Sequence, residues 1–505
     1  MSRSILQMEK EFVNYTKKIT AYNEALALIY WDLRTGAPRQ GTGQRAEVIG
    51  ILSSEVYDLS VSEAMAAYIA NLSSLEAQNI IAETTKTLIE ECKKEYDYKR
   101  KIPAEEYKEY TILLSQAETV WEEAREKSDF ALFKPYLEKI VTMTKRFITY
   151  WGSEGNKYNT LLDLYEPGMT THVLDRVFSD LRASIVPLVQ KIAAADNKPK
   201  TDFLFQTFPK TSQRAFSIEV LKQMGYNFEA GRLDETVHPF ATGINRGDVR
   251  ITTRYDESDF RMAVFGTIHE GGHALYEQNI REDLTGTPLC SGASMGIHES
   301  QSLFYENFVA RDLSFWKKNY ELLKQFTSGH FDHVPVEKFY RAINESKPSL
   351  IRIEADELTY PLHVMIRYEI EKGLFNDEIK VEDLPSVWND KYEEYLGVRP
   401  SNDKEGVLQD VHWAGGSFGY FPSYALGLMY AAQFKQAMLV SLPNYAQLLE
   451  EGNLQPIKEW LTTRIHQFGK LKKPLQILQD ATGEGLNAEY LIEYLTEKYS
   501  GIYQL

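Results

Sequence analysis

Cysteine is almost missing: Cys92 and Cys290 are the only two in 505 residues. No disulfide framework can be built from them, and a reducing cytoplasm is the simplest expected location. There is no apolar run of about 18 residues that could span a bilayer, and the start, MSRSILQMEKEF, lacks the apolar stretch of a secretory leader. Positive charge is short too. Lys and Arg number 56 against 72 Asp and Glu, a formal net charge of −16, and no basic cluster stands out. Nucleic acid and anionic membrane are therefore not expected partners. Internal repeats, low-complexity tracts and Gly/Ser linkers are absent as well, so residues 1–505 are expected to form a single domain.

What the chain has is helical periodicity. Ile5, Met8, Phe12, Tyr15, Ile19, Tyr22 and Leu26 recur at spacings of three and four, one apolar face of a helix over 3–33. Similar patterns predict helices over 44–70, 76–101, 104–127, 130–152, 172–194, 213–224, 258–280, 298–327, 335–345, 349–373, 424–438, 457–467 and 487–499. The fold class is thus mainly α. One segment departs from this. DVRITTRY, 248–255, alternates Val249, Ile251, Thr253 and Tyr255 with polar neighbours, the period of a half-buried strand. VHPF at 237–240 is the expected partner across a GINRG turn, giving a small antiparallel sheet beside the helix that follows. A sheet edge there could hold an extended peptide by its main chain, or be a plain surface hairpin.

That following helix contains HEGGH, with His269, Glu270 and His273. Residues four apart on a helix lie about 40° apart around the axis, so both imidazoles can reach one ion, while Glu270 flanks it without binding. The adjacent Gly271 and Gly272 cost roughly 2 kcal/mol of helix propensity. Gly271 falls on the stripe of Val264, Ile268 and Leu275, where a bare backbone lets another helix approach. Gly272 flanks the histidine face away from Glu270, where a side chain would obstruct a neighbouring helix or a bound peptide.

A catalytic zinc requires a third protein ligand and an open position. Glu277 is about 12 Å along the same helix from His269 and cannot converge with both histidines. The candidates are His298 and Glu299 in HESQ, which point about 100° apart, so one of them can face the ion. Motif context favours Glu299, on a helix returning antiparallel after a loop. His298 is then a supporting or substrate-binding group.

These residues, with five further motifs, carry a family likeness. HPF (238–240), DVRIT (248–252), HEGGH, HESQ (298–301), IRIEAD (351–356) and GVLQDVHW (406–413) occur in that order, and YWDLRTGAPRQGTGQR (30–45) adds to them. The chain resembles the Taq-type thermostable metallocarboxypeptidases of bacteria, archaea and protozoa. The resemblance implies a helical, saddle-like zincin fold with a deep groove and an active-site region at about 230–425. It also implies a homodimer, one zinc (or cobalt) ion per chain, and release of single C-terminal residues from peptides with broad specificity. By the same resemblance His269, His273 and Glu299 are the ligands and Glu270 is the general base.

The chemistry expected of such a site is hydrolysis, with Glu270 taking a proton from water as it attacks the scissile carbonyl and passing it to the leaving amine. His412 and Tyr420, in a glycine-rich loop, are candidate donors to the developing oxyanion, or simply loop residues that pack. A terminal carboxylate suits an arginine fork. Arg352 is the first candidate, expected to be held by Asp356 one turn on, with Arg250 behind it and His238 a further substrate-binding candidate. His172, His330, His333 and His466 are expected at the surface, and His363 satisfied inside a helix kinked at Pro361. A dipeptidyl carboxypeptidase or oligoendopeptidase on the same scaffold is the nearest alternative, and a helical interaction protein with a structural metal a remoter one.

Overall fold

The computed structural model describes residues 4–505. Residues 1–3, where the first expected helix begins, lie outside the described residues. The fold is mainly helical, as the periodicity requires. Ser4 starts the first helix, Ile5–Thr35: its Oγ accepts from the Gln7 N–H at 3.2 Å, satisfying one of the donors a helix start leaves free. Among the described residues no helix is long and apolar enough to cross a membrane.

Several expected helices break where local chemistry interrupts them. The 44–70 segment divides into Thr42–Ser60 and Glu63–Leu72, because Ser62 leaves helical geometry and accepts from Met65 N to cap the second piece. The segment 349–373 has a single 3₁₀ turn at Arg352–Glu354 and becomes α-helical only at Tyr360, with Pro361 in its first turn. There the fixed φ of proline suits a helix start, so Pro361 opens the helix instead of kinking it. Residues 298–327 form three pieces: Met295–Leu303 is α-helical, Phe304–Ala310 is π-helical, and Leu313–Phe326 is α-helical again. Helices at Tyr158–Tyr165 and Leu384–Leu396 were not expected.

The sheet has three strands: β1 (Leu233–Glu235), β2 (Ala241–Asn245) and β3 (Asp248–Thr253), in the order β1-β3-β2. The β2–β3 pair is antiparallel with a bulge between Gly243 and Asn245, and β1 adds to β3 in parallel. The partner of β3 is therefore 241–245 and not 237–240, and the sheet is mixed. Pro239 has no N–H for a ladder; the Phe240 carbonyl accepts from Thr252 N at 3.0 Å, but its N–H goes to the Thr252 side-chain Oγ1 at 2.8 Å and not to a backbone carbonyl of β3.

β3 packs against the helix Arg261–Gln278, which carries HEGGH. The helix Met295–Leu303 lies between that helix and Pro422–Ser441, and glycine backbones admit it on both sides. A Cβ at Gly272 would stand 2.4 Å from the Gln301 carbonyl oxygen, and one at Gly427 2.7 Å from Glu299 Cγ. Gly271 faces the opposite way, onto Leu221 and Met224. Beside these helices runs a groove of about 1240 Å³, walled by residues as distant in sequence as Glu91 and Lys470.

Candidate active site

His269, Glu270 and His273 sit on one helix and Glu299 on the next, and all four line the groove. The donor atoms of His269, His273 and Glu299 lie within 4.8 Å of one another. His273 Nε2 is 3.3 Å and His269 Nε2 3.8 Å from the same oxygen, Glu299 Oε2. Tetrahedral coordination at about 2.0–2.1 Å would set donors about 3.3 Å apart. The donor set of two imidazoles and a carboxylate thus fits a small divalent ion, with the His273 distance at the ideal and the His269 distance about 0.5 Å beyond it.

The far side of each imidazole is engaged, which leaves the Nε2 atoms to converge. His269 Nδ1 lies 3.0 Å from Glu306 Oε2, so it carries the proton and donates it. Glu306 also accepts from Arg311 Nη2 at 3.0 Å. His273 Nδ1 is 2.6 Å from His298 Nδ1, whose Nε2 is 2.9 Å from Glu277 Oε1. The tautomers follow in sequence: His273 donates to His298, and His298 donates to Glu277. His298, expected as a supporting or substrate-binding group, has both ring nitrogens occupied and stands in the supporting place behind His273.

Burial disfavours a charged His269, but the carboxylates of Glu299 and Glu306 outweigh it and push the imidazole up to about 10, so without a metal Nε2 holds a proton that a bound cation would displace. Burial holds His273 at about 4. Burial also pushes Glu270 up to about 7, against the opposing pull of His269. Negative charge is therefore concentrated where a cation would sit, with a carboxyl beside it near neutrality.

A second cluster forms another part of the groove wall. Arg352 is 5 % exposed and donates to Asp410 Oδ1 from Nε (3.1 Å) and Nη2 (2.8 Å), and to the Tyr360 hydroxyl from Nη1 (2.8 Å). Arg367, fully buried, donates to Asp410 Oδ2 at 2.6 Å. Two guanidinium groups thus face one carboxylate, leaving one positive charge in excess. Asp356 does not hold Arg352. The helix begins only at Tyr360, so the expected one-turn spacing does not apply, and Asp356 accepts from Ser346 Oγ and the N–H groups of Lys347, Leu358 and Thr359.

Tyr420 and Tyr424 line the groove. His412 is not among the wall residues and packs behind them, its Nε2 3.4 Å from the Tyr424 hydroxyl and its ring 5.6 Å from that of Tyr420. Burial lowers it to about 4, so it is neutral at pH 7.

Two substrate-binding candidates stand away from the groove. Strand alternation buries Val249 and Ile251 and turns Arg250 the other way, onto Asp248 and the Trp31 ring. His238 is exposed, and Pro239, Phe240, Ala241 and Gly243 form the wall there. His466, expected at the surface, is fully buried and contacts Gln301 Oε1 at 2.8 Å. Inside the Tyr360–Phe375 helix His363 meets the Tyr392 hydroxyl at 2.9 Å through Nδ1, while its buried Nε2 has no partner, so it is only half satisfied.

Sequence reasoning missed Glu306, Arg311, Arg367 and a role for Asp410. Glu306 follows Glu299 by seven residues, two helical turns on the same face, a signal that was available. Asp410 lies within GVLQDVHW. Nothing in the spacing pairs it with Arg367.

Convergent ligand atoms in a groove beside a buried carboxyl define a metal-dependent hydrolase site, and the likenesses to known proteins specify which. The family model described as Carboxypeptidase Taq (M32) metallopeptidase matches residues 11–499. The chain is 58% identical over 497 residues to Carboxypeptidase 1 of Bacillus subtilis (strain 168), covering 98% of this chain and 99% of that protein. It is 39% identical over 494 residues to Thermostable carboxypeptidase 1 of Thermus thermophilus, with 96% and 97% covered. A solved M32 carboxypeptidase from Deinococcus radiodurans R1 superposes with a TM-score of 0.96 at 33% identity, over 99% of this chain and 100% of that one. The class is therefore metallocarboxypeptidase. Within it, the chain belongs to the Taq-type M32 family, whose members depend on a divalent metal.

Proposed function

We propose that this chain, acting as one domain over 1–505, removes single residues from the C-termini of peptides with broad specificity. One zinc ion, or cobalt in its place, is held per chain by His269, His273 and Glu299. The observation that carries this reading is the convergence of both Nε2 atoms on Glu299 Oε2, with Glu270 beside them in the same groove. When bound, a divalent cation supplies Lewis acidity, acidifying water and polarising a carbonyl oxygen.

The chain's own groups do the rest. Glu270 takes a proton on its carboxylate from the attacking water and delivers it to the leaving nitrogen, a shuttle worth about 10²–10⁴ in rate. The Tyr420 hydroxyl, in the groove wall, is the donor to the developing oxyanion. His412, neutral and packed behind, positions the tyrosines. Arg352 receives the terminal carboxylate. Three of its five N–H groups are engaged, leaving two without a partner among the described residues. The excess positive charge shared with Arg367 and Asp410 is neutralised when that carboxylate arrives.

The family likeness supports a homodimer, and the scarcity of cysteine supports a reducing cytoplasm. Elemental analysis tests the metal assignment. One zinc per chain is expected in the parent and in Glu270→Gln, and none in His269→Ala, His273→Ala or Glu299→Ala. Full zinc in those three variants would overturn the ligand set.

A further inference from the structure

Directly after the Glu299 helix the chain runs as a π-helix over Phe304–Ala310, a form that is rare and frequent at functional sites. Its effect is local and specific. Arg311 follows Glu306 by five residues, which on an α-helix would place it about 140° away around the axis. A π-helix closes on i→i+5 bonds, so each residue turns through a smaller angle than on an α-helix, and Arg311, which follows the last π-helical residue, comes round closer to the side of Glu306. Arg311 Nη2 reaches Glu306 Oε1 at 3.0 Å, while the other oxygen, Oε2, lies 3.0 Å from His269 Nδ1. The guanidinium is fixed in turn: Nη1 donates to the Ile343 carbonyl at 2.7 Å, and its carbon lies 4.3 Å from the centre of the Phe265 ring.

We infer that the π-helical turn is a positioning device for the metal site: it brings Arg311 to Glu306, and the restrained Glu306 carboxylate fixes the orientation and tautomer of His269. Glu306 and Arg311 are positioning residues that act through His269, and the inference rests on His269 being a ligand as proposed above. Their charges cancel, so the device sets geometry without altering the net charge around the ion. An Oε2 fixed on Nδ1 leaves Nε2 as the only atom of His269 able to ligate, 3.8 Å from Glu299 Oε2. Were the imidazole free to turn over, either nitrogen could face the groove and the ligand would have to be ordered at the moment of binding.

The test separates reach from charge. Glu306→Asp keeps the charge but withdraws the oxygen by one methylene, whereas Glu306→Gln keeps the reach and loses the charge. Apo protein is titrated with zinc against a chromophoric chelator, the visible spectrum of the cobalt form is recorded, and each apo variant is melted to establish that it folds. The expected order of zinc affinity is parent, then Glu306→Gln, then Glu306→Asp. Glu306→Gln/Arg311→Met, which leaves no lone buried charge, falls about 10–100-fold below the parent, with a changed cobalt spectrum. The inference is overturned if Glu306→Asp binds zinc more tightly than Glu306→Gln, or if Arg311→Met has no effect when added to Glu306→Gln. His269→Ala serves as the control. Should it keep zinc, the ligand assignment itself has failed; should it lose zinc while the Glu306 variants do not, only the positioning role has failed.

Discussion

The two adjacent glycines of HEGGH should respond oppositely to the same one-carbon substitution. A Cβ at Gly272 would lie 2.4 Å from the Gln301 carbonyl oxygen and 2.7 Å from Ser302 Cα, both backbone atoms of the helix that carries Glu299. That is about 1 Å inside ordinary van der Waals contact, and backbone cannot rotate away. In Gly272→Ala the Met295–Leu303 helix must retreat by a comparable amount, drawing Glu299 away from both imidazoles. Gly427 closes off its other side, so the retreat strains a second contact. Overpacking of this kind costs about 1–3 kcal/mol, partly offset by about 1 kcal/mol of gained helix propensity. Zinc affinity should fall at least about 10-fold, the scale of a misplaced ligand support. In Gly271→Ala the new Cβ meets the ends of two flexible side chains, Leu221 Cδ2 at 2.6 Å and Met224 Cε at 3.0 Å, which can turn aside. Stability should change by no more than about 1 kcal/mol, with zinc affinity that of the parent. Chelator-competition titration together with apo melting curves of both variants reads these effects separately. Parental zinc affinity in Gly272→Ala, or a greater loss in Gly271→Ala, would refute the reasoning.

Glu270→Gln should retain zinc and lose about 10²–10⁴ in kcat on a free-acid peptide; parental kcat would remove Glu270 as the base. Arg352→Ala leaves Asp410 paired with Arg367, so the chain should fold. Its kcat/KM for free-acid peptides should drop about 10- to 150-fold, the worth of hydrogen bonds to a charged group at about 1.5–3 kcal/mol, and a normal value would move carboxylate recognition elsewhere. Glu371 is fully buried, and burial pushes it up to about 7 although the Tyr158 hydroxyl, Gly419 N and Trp413 Nε1 lower it. Its folded pKa exceeds the ordinary value of 4.5, so its contribution to stability is complete below about 4.5, is lost as pH rises to about 7, and is flat above. Melting at pH 5 and pH 8 should show the parent losing more Tm than Glu371→Gln over that interval, and parallel losses would contradict this.

Much of the site was legible because its signals are local. His269, Glu270 and His273 share one helix, whose period alone sets their directions, and Gly271 and Gly272 could be assigned to opposite neighbours by the same angle count. Arg352 lies in the groove wall, but Asp356 does not pair with it: the one-turn spacing holds only within a helix, and this one begins at Tyr360. Asp410 and Arg367 meet Arg352 across separations that no periodicity encodes. The π-helix was hidden for the converse reason, since 298–327 reads as one unbroken apolar pattern and the extra residue per turn appears only in three dimensions. β3 was legible by alternation. Its antiparallel partner lies four residues further on than expected, because Pro239 has no N–H for the ladder and pairing starts at Ala241.

The central claim is that the groove reads a free terminal carboxylate and cuts one residue at a time beside a bound metal. Mass spectrometry of two peptides of identical sequence, one with a free C-terminus and one amidated, digested by the zinc-loaded chain, tests it most directly. The account predicts a ladder descending by single residues from the free acid and little or no cleavage of the amide. Equal cleavage of both peptides, or a ladder descending in pairs, would contradict it.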